Sequence, residues 1–159
     1  MSTLPGDQWR AGGSPATYAQ MVLRMDDAIG AILEKLDELD LAKNTVVIFT
    51  SDNGGEQFSD MGGLNGKKGL LKEGGIKIPA FIRWPGKIPP DSYTEQAVIT
   101  MDWTTTILKL ANARPDPAFA LDGIDLLPVC LGKQKNKERT FFWRMSQRVP
   151  QKAVRDGNF

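Results

Sequence analysis

Residues 44–55 read Asn-Thr-Val-Val-Ile-Phe-Thr-Ser-Asp-Asn-Gly-Gly, and this stretch decides the fold. The run 46–49 is β-branched and aromatic, which predicts a strand buried on both faces. Ser51-Asp52-Asn53-Gly54-Gly55 cannot continue a strand, so a carboxylate and an amide stand at the strand's carboxyl end. In open α/β sheets ligands bind at that edge, and oxygen ligands suit Ca²⁺ or Mg²⁺. Because glycines and lysines follow, the stretch predicts half of a site for a metal and an oxyanion.

The segment before this strand has the pattern of an amphipathic helix. Ser14-Pro15 is a helix start, with Ser14 as N-cap and Pro15 at the first helical position. Apolar residues then recur at spacings of three and four from Val22 to Leu39. The spacing predicts a helix over 15–40, followed by a short turn into the strand. Helix, turn, strand and ligand-bearing loop make an α/β unit.

Further along the chain the elements are shorter. The run 78–84 predicts a strand closed by Pro85-Gly86, and Asp102 is a candidate N-cap for a helix through about Ala111. Segments 141–143 and 153–155 predict strands of a small antiparallel piece. We expect the aromatic residues to serve as core or packing residues rather than as a stacking platform, since no basic patch accompanies them; they are Trp84, Trp103, Phe141, Phe142 and Trp143.

Composition limits the function classes. The chain has 159 residues, about one domain, and a formal charge of +1, which indicates neither nucleic acid nor an anionic membrane surface as partner. No apolar run approaches the roughly 20 residues that span a bilayer, and residues 1–7 lack the pattern of a signal peptide. The single cysteine, Cys130, lies in an apolar setting typical of a buried, inert thiol. The chain has no histidine, which excludes histidine acid–base chemistry and the usual zinc sites within it.

Several motifs in order resemble the second half of the catalytic domain of type I sulfatases, in the alkaline-phosphatase-like superfamily. They are Thr50-Ser51-Asp52-Asn53-Gly54, Gly66-Lys67-Lys68-Gly69, Glu73-Gly74-Gly75 with the run 76–86, Met101-Asp102-Trp103 and Leu121-Asp122-Gly123. The resemblance implies a partial α/β sandwich with a mixed sheet and flanking helices. It places the C-terminal part of the catalytic domain at 1–132 and the start of a C-terminal subdomain at 133–159.

The resemblance also implies roles for individual residues. Asp52 and Asn53 correspond to Ca²⁺ ligands, although Asp-Asn-Gly-Gly is by itself strong turn chemistry. The lysine that holds the substrate sulfate falls on Lys68, with Lys67 as runner-up, although a lysine pair among glycines is usually a solvated loop. Such a lysine neutralises charge on the sulfate and on the leaving oxygen. We expect Glu73-Gly74-Gly75 to have a structural rather than a catalytic role, because paired glycines permit positive φ and a close approach of the backbone.

Other parts of the family's site have no counterpart here. The family uses a formylglycine made from the Cys or Ser of a Cys/Ser-x-Pro-x-Arg motif, and no Cys or Ser in this chain is followed by x-Pro-x-Arg. Its remaining metal carboxylates come from an earlier part of the catalytic domain, which we expect to be a missing N-terminal part. The resemblance therefore implies a sulfate ester as the parent's substrate, often an exported or lysosomal location, and a chain that is inactive alone.

Two other interpretations stay open. A phosphodiesterase or phosphonate-ester hydrolase of the same superfamily would bind its metals through Asp and His, so Asp52-Asn53 favours the sulfatase. The other is a non-catalytic remnant that serves as a binding module. An in-frame Cys/Ser-x-Pro-x-Arg segment upstream in the DNA would favour the sulfatase over the remnant.

Overall fold

The computed structural model describes residues 13–146 and 150–157. The chain forms two compact units: Met1–Trp84 with Met145–Gln151, called unit 1, and Pro85–Arg144 with Lys152–Phe159, called unit 2. This division does not test the domain limit predicted after residue 132, which stays a prediction.

Unit 1 begins with helix α1, Pro15–Glu38, close to the predicted 15–40. The Ser14 hydroxyl accepts a hydrogen bond from the Thr17 N–H at 3.1 Å, and Pro15 is the first helical residue, as predicted. The helix ends where Asp40 adopts a left-handed conformation, with φ 54°, and the Leu41 N–H bonds back to the Leu36 carbonyl. A 3₁₀ turn, Ala42–Asn44, then leads into the first strand.

Strand β1, Val47–Thr50, pairs antiparallel with strand β2, Ala80–Arg83. The register places Val47 opposite Arg83, and the Phe49 and Phe81 rings lie 6.1 Å apart. All four β1 residues are half-buried, so the prediction that this strand is buried on both faces is wrong for the structure described. The reason is that β2 is the only strand hydrogen-bonded to β1 within residues 13–146 and 150–157.

Helix α1 has no fully buried residue. Ile29 and Leu36 are half-buried, whereas Met21 and Ile32 are 66% and 60% exposed. The predicted apolar stripe is therefore present, but much of it faces solvent. None of the described helices is both long enough and apolar enough to cross a membrane.

Unit 2 is organised by a buried carboxylate on helix α3, Thr100–Leu110; a one-turn helix, α2, Glu73–Ile76, precedes it in unit 1. Asp102 is fully buried and accepts hydrogen bonds from the Ile99 and Ile124 N–H groups, each at 2.8 Å. Arg139 donates two more bonds to it, at 2.6 and 2.9 Å. The predicted N-cap role of Asp102 is wrong: the helix begins two residues earlier, and the side chain reaches back to the Ile99 N–H from the third helical position.

A one-turn helix and two strands follow; all of their residues belong to unit 2 except Met145 and Gln151, which belong to unit 1. Helix α4 is Leu127–Cys130, and strands β3, Thr140–Met145, and β4, Gln151–Asp156, form the predicted two-stranded antiparallel sheet. Phe141 is buried, with the Arg139 guanidinium 4.7 Å from its ring centroid. Phe142 is 76% exposed, so the expectation of a core or packing role is wrong for this residue; successive strand residues point to opposite faces.

Candidate functional site

The carboxyl end of β1 turns sharply and is held by hydroxyl groups. The Ser51 hydroxyl donates to the Asn53 carbonyl at 2.9 Å, and the Thr50 hydroxyl donates to the Pro79 carbonyl at 3.1 Å. These bonds satisfy carbonyls that have left the strand ladder. Within this turn Asp52 is exposed and Asn53 is half-buried. The sequence order therefore places both predicted metal ligands at the strand's carboxyl end.

Glycines bring three segments of main chain into direct contact behind this turn. The Gly54 N–H donates to the Gly75 carbonyl at 2.9 Å, and the Gly74 N–H donates to the Asn65 carbonyl at 2.7 Å. A Cβ added at Gly54 would lie 1.9 Å from the Gly74 carbonyl oxygen, and one at Gly75 would lie 2.0 Å from that of Leu70. Only glycine fits such contacts.

The expectation for Glu73-Gly74-Gly75 is therefore confirmed in one respect and wrong in another. The close backbone approach is present, and both glycines are buried. Positive φ is not found at either glycine, because they lie in the one-turn helix α2. Positive φ occurs instead at Gly66 and Gly69, which flank the lysine pair with φ of 94° and 85°.

Residues 66–69 carry the lysine pair and are called the lysine turn. They are hydrogen-bonded to the turn at residues 51–55, which is called the Asp52-Asn53 turn. The Lys68 N–H donates to the Gly55 carbonyl at 2.8 Å, and the Leu70 N–H donates to the Lys67 carbonyl at 3.0 Å. The bond from Lys68 to Gly55 thus joins the two segments that the sequence predicts for metal and sulfate binding. No sequence signal indicated that Gly55 would be the contact.

The two lysines differ in their partners. The Lys67 ammonium lies 3.3 Å from a Glu56 carboxylate oxygen, in an exposed ion pair. The Lys68 side chain is exposed, and its ammonium has no hydrogen bond or ion pair with any residue in the described ranges. Of the two, Lys68 is therefore the lysine whose charge is available to an external anion. The sequence did not reveal Glu56 as a partner of Lys67.

The donors at this edge fit part of a Ca²⁺ shell. A carboxylate from Asp52 and an amide oxygen from Asn53 are the hard ligands that Ca²⁺ takes, and six to eight are needed. In the portion of the chain that the structure describes, no group of three or more His, Cys, Asp or Glu side chains could hold a metal ion. These residues can supply two ligands of a larger shell.

Cys130 lies in unit 2 and is half-buried rather than fully buried. Burial raises the pKa of the Cys130 thiol, and the negative charge of Asp125 raises it further. The thiol therefore stays protonated at neutral pH, which suits a packing role rather than nucleophilic chemistry.

Comparison with known proteins identifies the family. The family model described as Sulfatase matches residues 3–113. Over 133 residues the chain is 40% identical to N-acetylgalactosamine-6-sulfatase from Canis lupus familiaris, covering 80% of this chain and 26% of that protein. It is 38% identical over 136 residues to steryl-sulfatase from Rattus norvegicus, covering 79% of this chain and 24% of that protein.

A solved structure gives the same result. The crystal structure of Ps i-CgsB in complex with k-i-k-neocarrahexaose matches 91% of this chain and 33% of that one, with a TM-score of 0.83 and 27% sequence identity. The fold is thus a partial α/β domain of the alkaline-phosphatase-like class. Within that class, the chain belongs to the sulfatase family. It spans about a quarter of the length of the curated relatives it matches.

Proposed function

We propose that this chain is the C-terminal part of the catalytic domain of a sulfuric ester hydrolase. In this proposal it supplies one edge of the metal and sulfate site of a larger enzyme. The observation that carries the proposal is the hydrogen bond from the Lys68 N–H to the Gly55 carbonyl, because it joins the lysine turn to the Asp52-Asn53 turn. Family membership supplies the reaction class.

In this proposal Asp52 and Asn53 hold Ca²⁺ together with ligands from elsewhere. When bound, the cation would supply positive charge to a sulfate oxygen. Lys68 directs its ammonium to the sulfate and to the negative charge that grows on the leaving oxygen as the S–O bond breaks. Lys67 lies 3.3 Å from Glu56 in an exposed ion pair and is the runner-up for the same role.

The substrate class in this proposal is a sulfated sugar. Support comes from relatives: one similar protein is named for a 6-sulfated N-acetylgalactosamine, and a similar structure holds a neocarrahexaose. Steryl-sulfatase is also a relative, so the proposal of a sulfated sugar is more specific than the proposal of a sulfate ester.

The chain alone is proposed to be inactive. The nucleophile that the family forms from a Cys/Ser-x-Pro-x-Arg motif has no counterpart in this sequence. We expect no hydrolysis of a chromogenic aryl sulfate by the purified chain with Ca²⁺ present. Turnover that disappears in Lys68→Ala would contradict this proposal, and turnover of a phosphate diester would favour the phosphodiesterase interpretation.

A Ca²⁺ titration of the ¹⁵N-labelled chain tests the metal edge. We expect weak binding, with dissociation constants on the order of millimolar, and chemical-shift changes centred on Asp52 and Asn53. Asp52→Asn removes the one charged ligand and should abolish these changes. Asp60→Asn, at an exposed aspartate of the same unit, is the matched control and should preserve them. Shifts centred elsewhere, or equal in both variants, would overturn the proposed metal role.

A further inference from the structure

A glutamine from strand β4 holds the segment that follows Lys68. The Gln151 Oε1 atom accepts a hydrogen bond from the Leu71 N–H at 2.9 Å, and its Nε2 atom donates to the Gly69 carbonyl at 3.2 Å. Both ends of one side-chain amide therefore pair with main-chain groups on either side of Leu70. All of these residues belong to unit 1.

The geometry suits a neutral amide. Residues 68–69 lie in a turn and residues 70–72 in a bend, so the Gly69 carbonyl and the Leu71 N–H are outside the strand pairings of the described chain. A primary amide carries one acceptor oxygen and two donor hydrogens, so a single side chain can bond both of these main-chain groups. It adds no charge beside the lysines. A carboxylate at this position would accept from Leu71 but would repel the Gly69 carbonyl oxygen.

The backbone on the C-terminal side of the lysine turn is restrained by these two hydrogen bonds. On its N-terminal side the Lys68 N–H is fixed to Gly55. Gly69 follows at φ 85° with open space around its Cα, so local packing does not restrict it. Glycine has the greatest backbone freedom of any residue. The two hydrogen bonds from Gln151 are made to Gly69 and Leu71, so they restrict the backbone at and directly after this flexible glycine.

We propose that Gln151 is a positioning residue for Lys68: it fixes the turn from which the Lys68 ammonium meets a sulfate group. This inference rests on the proposed role of Lys68 in sulfate binding. Gln151 acts through the main chain of residues 69–71 and does not itself touch the anion. Its place in the sequence, 83 positions after Lys68, gave no signal of the contact.

The test measures two properties of the full ¹⁵N-labelled chain: amide hydrogen exchange at Lys68, and affinity for inorganic sulfate at constant ionic strength. Gln151→Met removes both hydrogen bonds at similar side-chain length. Gln151→Glu keeps the acceptor for Leu71 and loses the donor to Gly69. The control is Gln57→Met, because the Gln57 side chain is exposed and makes no hydrogen bond to any described residue.

The expected result is a graded one. Gln151→Met should speed exchange at the Lys68 N–H, whose own partner Gly55 is untouched, and weaken sulfate binding about fivefold, as expected for the loss of two neutral hydrogen bonds. Gln151→Glu should lie between wild type and Gln151→Met in exchange. Gln57→Met should match wild type in both. The melting temperature should fall by no more than a few degrees, because the change is confined to one turn.

Three results would overturn the inference in distinguishable ways. Unchanged Lys68 exchange and unchanged affinity in Gln151→Met would overturn the positioning role while leaving sulfate binding by Lys68 intact. Faster exchange throughout unit 1 would make Gln151 a stability residue only. Absence of sulfate binding in the wild-type chain would overturn the proposed role of Lys68 itself, and the positioning role with it.

Discussion

The Asp52–Lys68 edge of unit 1 and the Asp102–Arg139 pair of unit 2 use charge in opposite ways. In unit 2 Asp102 is fully buried and Arg139 is partly buried, and Asp102 accepts four hydrogen bonds. In unit 1 Asp52 and Lys68 are exposed, and main-chain bonds between glycine-rich segments hold the turns that carry them. A charge that is paired within the protein, such as that of Asp102, stabilises the fold. An exposed charge on a fixed turn, such as that of Lys68, can bind a ligand. Asp52, Lys68 and Asp102 all lie in motifs of the sulfatase resemblance, so a motif alone does not separate the two uses.

The largest effect is expected where a charge is buried. Asp102→Ala leaves the Arg139 guanidinium without its carboxylate, and breaking such a pair costs about 3–5 kcal/mol. Urea unfolding followed by circular dichroism should show this loss. Asp122→Ala, at an exposed aspartate of the same unit, should change the unfolding free energy by less than about 0.5 kcal/mol. Equal losses in the two variants would remove the distinction between the regions.

A smaller loss is expected from the glycine contacts of unit 1. Gly54→Ala places a Cβ 1.9 Å from the Gly74 carbonyl oxygen, and the main chain must shift, at a cost of about 1–3 kcal/mol. Gly30→Ala is the opposite control: it lies inside α1 with nothing within 4 Å of the added Cβ, and it should stabilise by about 0.5–1 kcal/mol. Thermal unfolding of the two variants should therefore shift in opposite directions. A neutral Gly54→Ala would show that the turns are not held by these contacts.

The smallest effect concerns Cys130. Its pKa is raised by burial and by Asp125, so the folded chain keeps the thiol protonated at a pH where the unfolded chain begins to lose the proton. The resulting stability is fully present below the thiol's unfolded pKa and is lost as the pH rises through the folded pKa. Alkylation by iodoacetamide at pH 8 to 9 should be several-fold slower in the folded chain than in urea. Matching pH profiles in the two states would contradict the raised pKa.

Much of unit 1 could be predicted from sequence because its signals are local. The spacing of Val22, Ile29 and Leu36 indicated α1, and Ser14-Pro15 gave its start. The sequence could not show that β1 is only half-buried, because burial depends on which neighbours the described chain provides.

The candidate site was predictable to a different extent. Its residue types and their order could be read from the motifs, but the contacts that hold them could not. Gly55 and Gln151 both act through hydrogen bonds to the lysine turn, and neither kind of contact leaves a periodic or compositional pattern. The N-cap role of Asp102 was misjudged because the helix begins two residues earlier, at Thr100. Its long-range partners, Ile124 and Arg139, lie 22 and 37 positions away and leave no such pattern.

The central claim is that Lys68 presents its charge to a sulfate group from a turn joined to Asp52-Asn53. It is tested most directly by titrating inorganic sulfate into the ¹⁵N-labelled chain with Ca²⁺ present, in wild type, Lys68→Ala and Lys67→Ala. We predict weak binding with shifts centred on residues 66–69, an at least tenfold weaker affinity in Lys68→Ala, as for one charged hydrogen bond, and near wild-type affinity in Lys67→Ala. Equal losses in both variants, or shifts centred outside these turns, would contradict the claim.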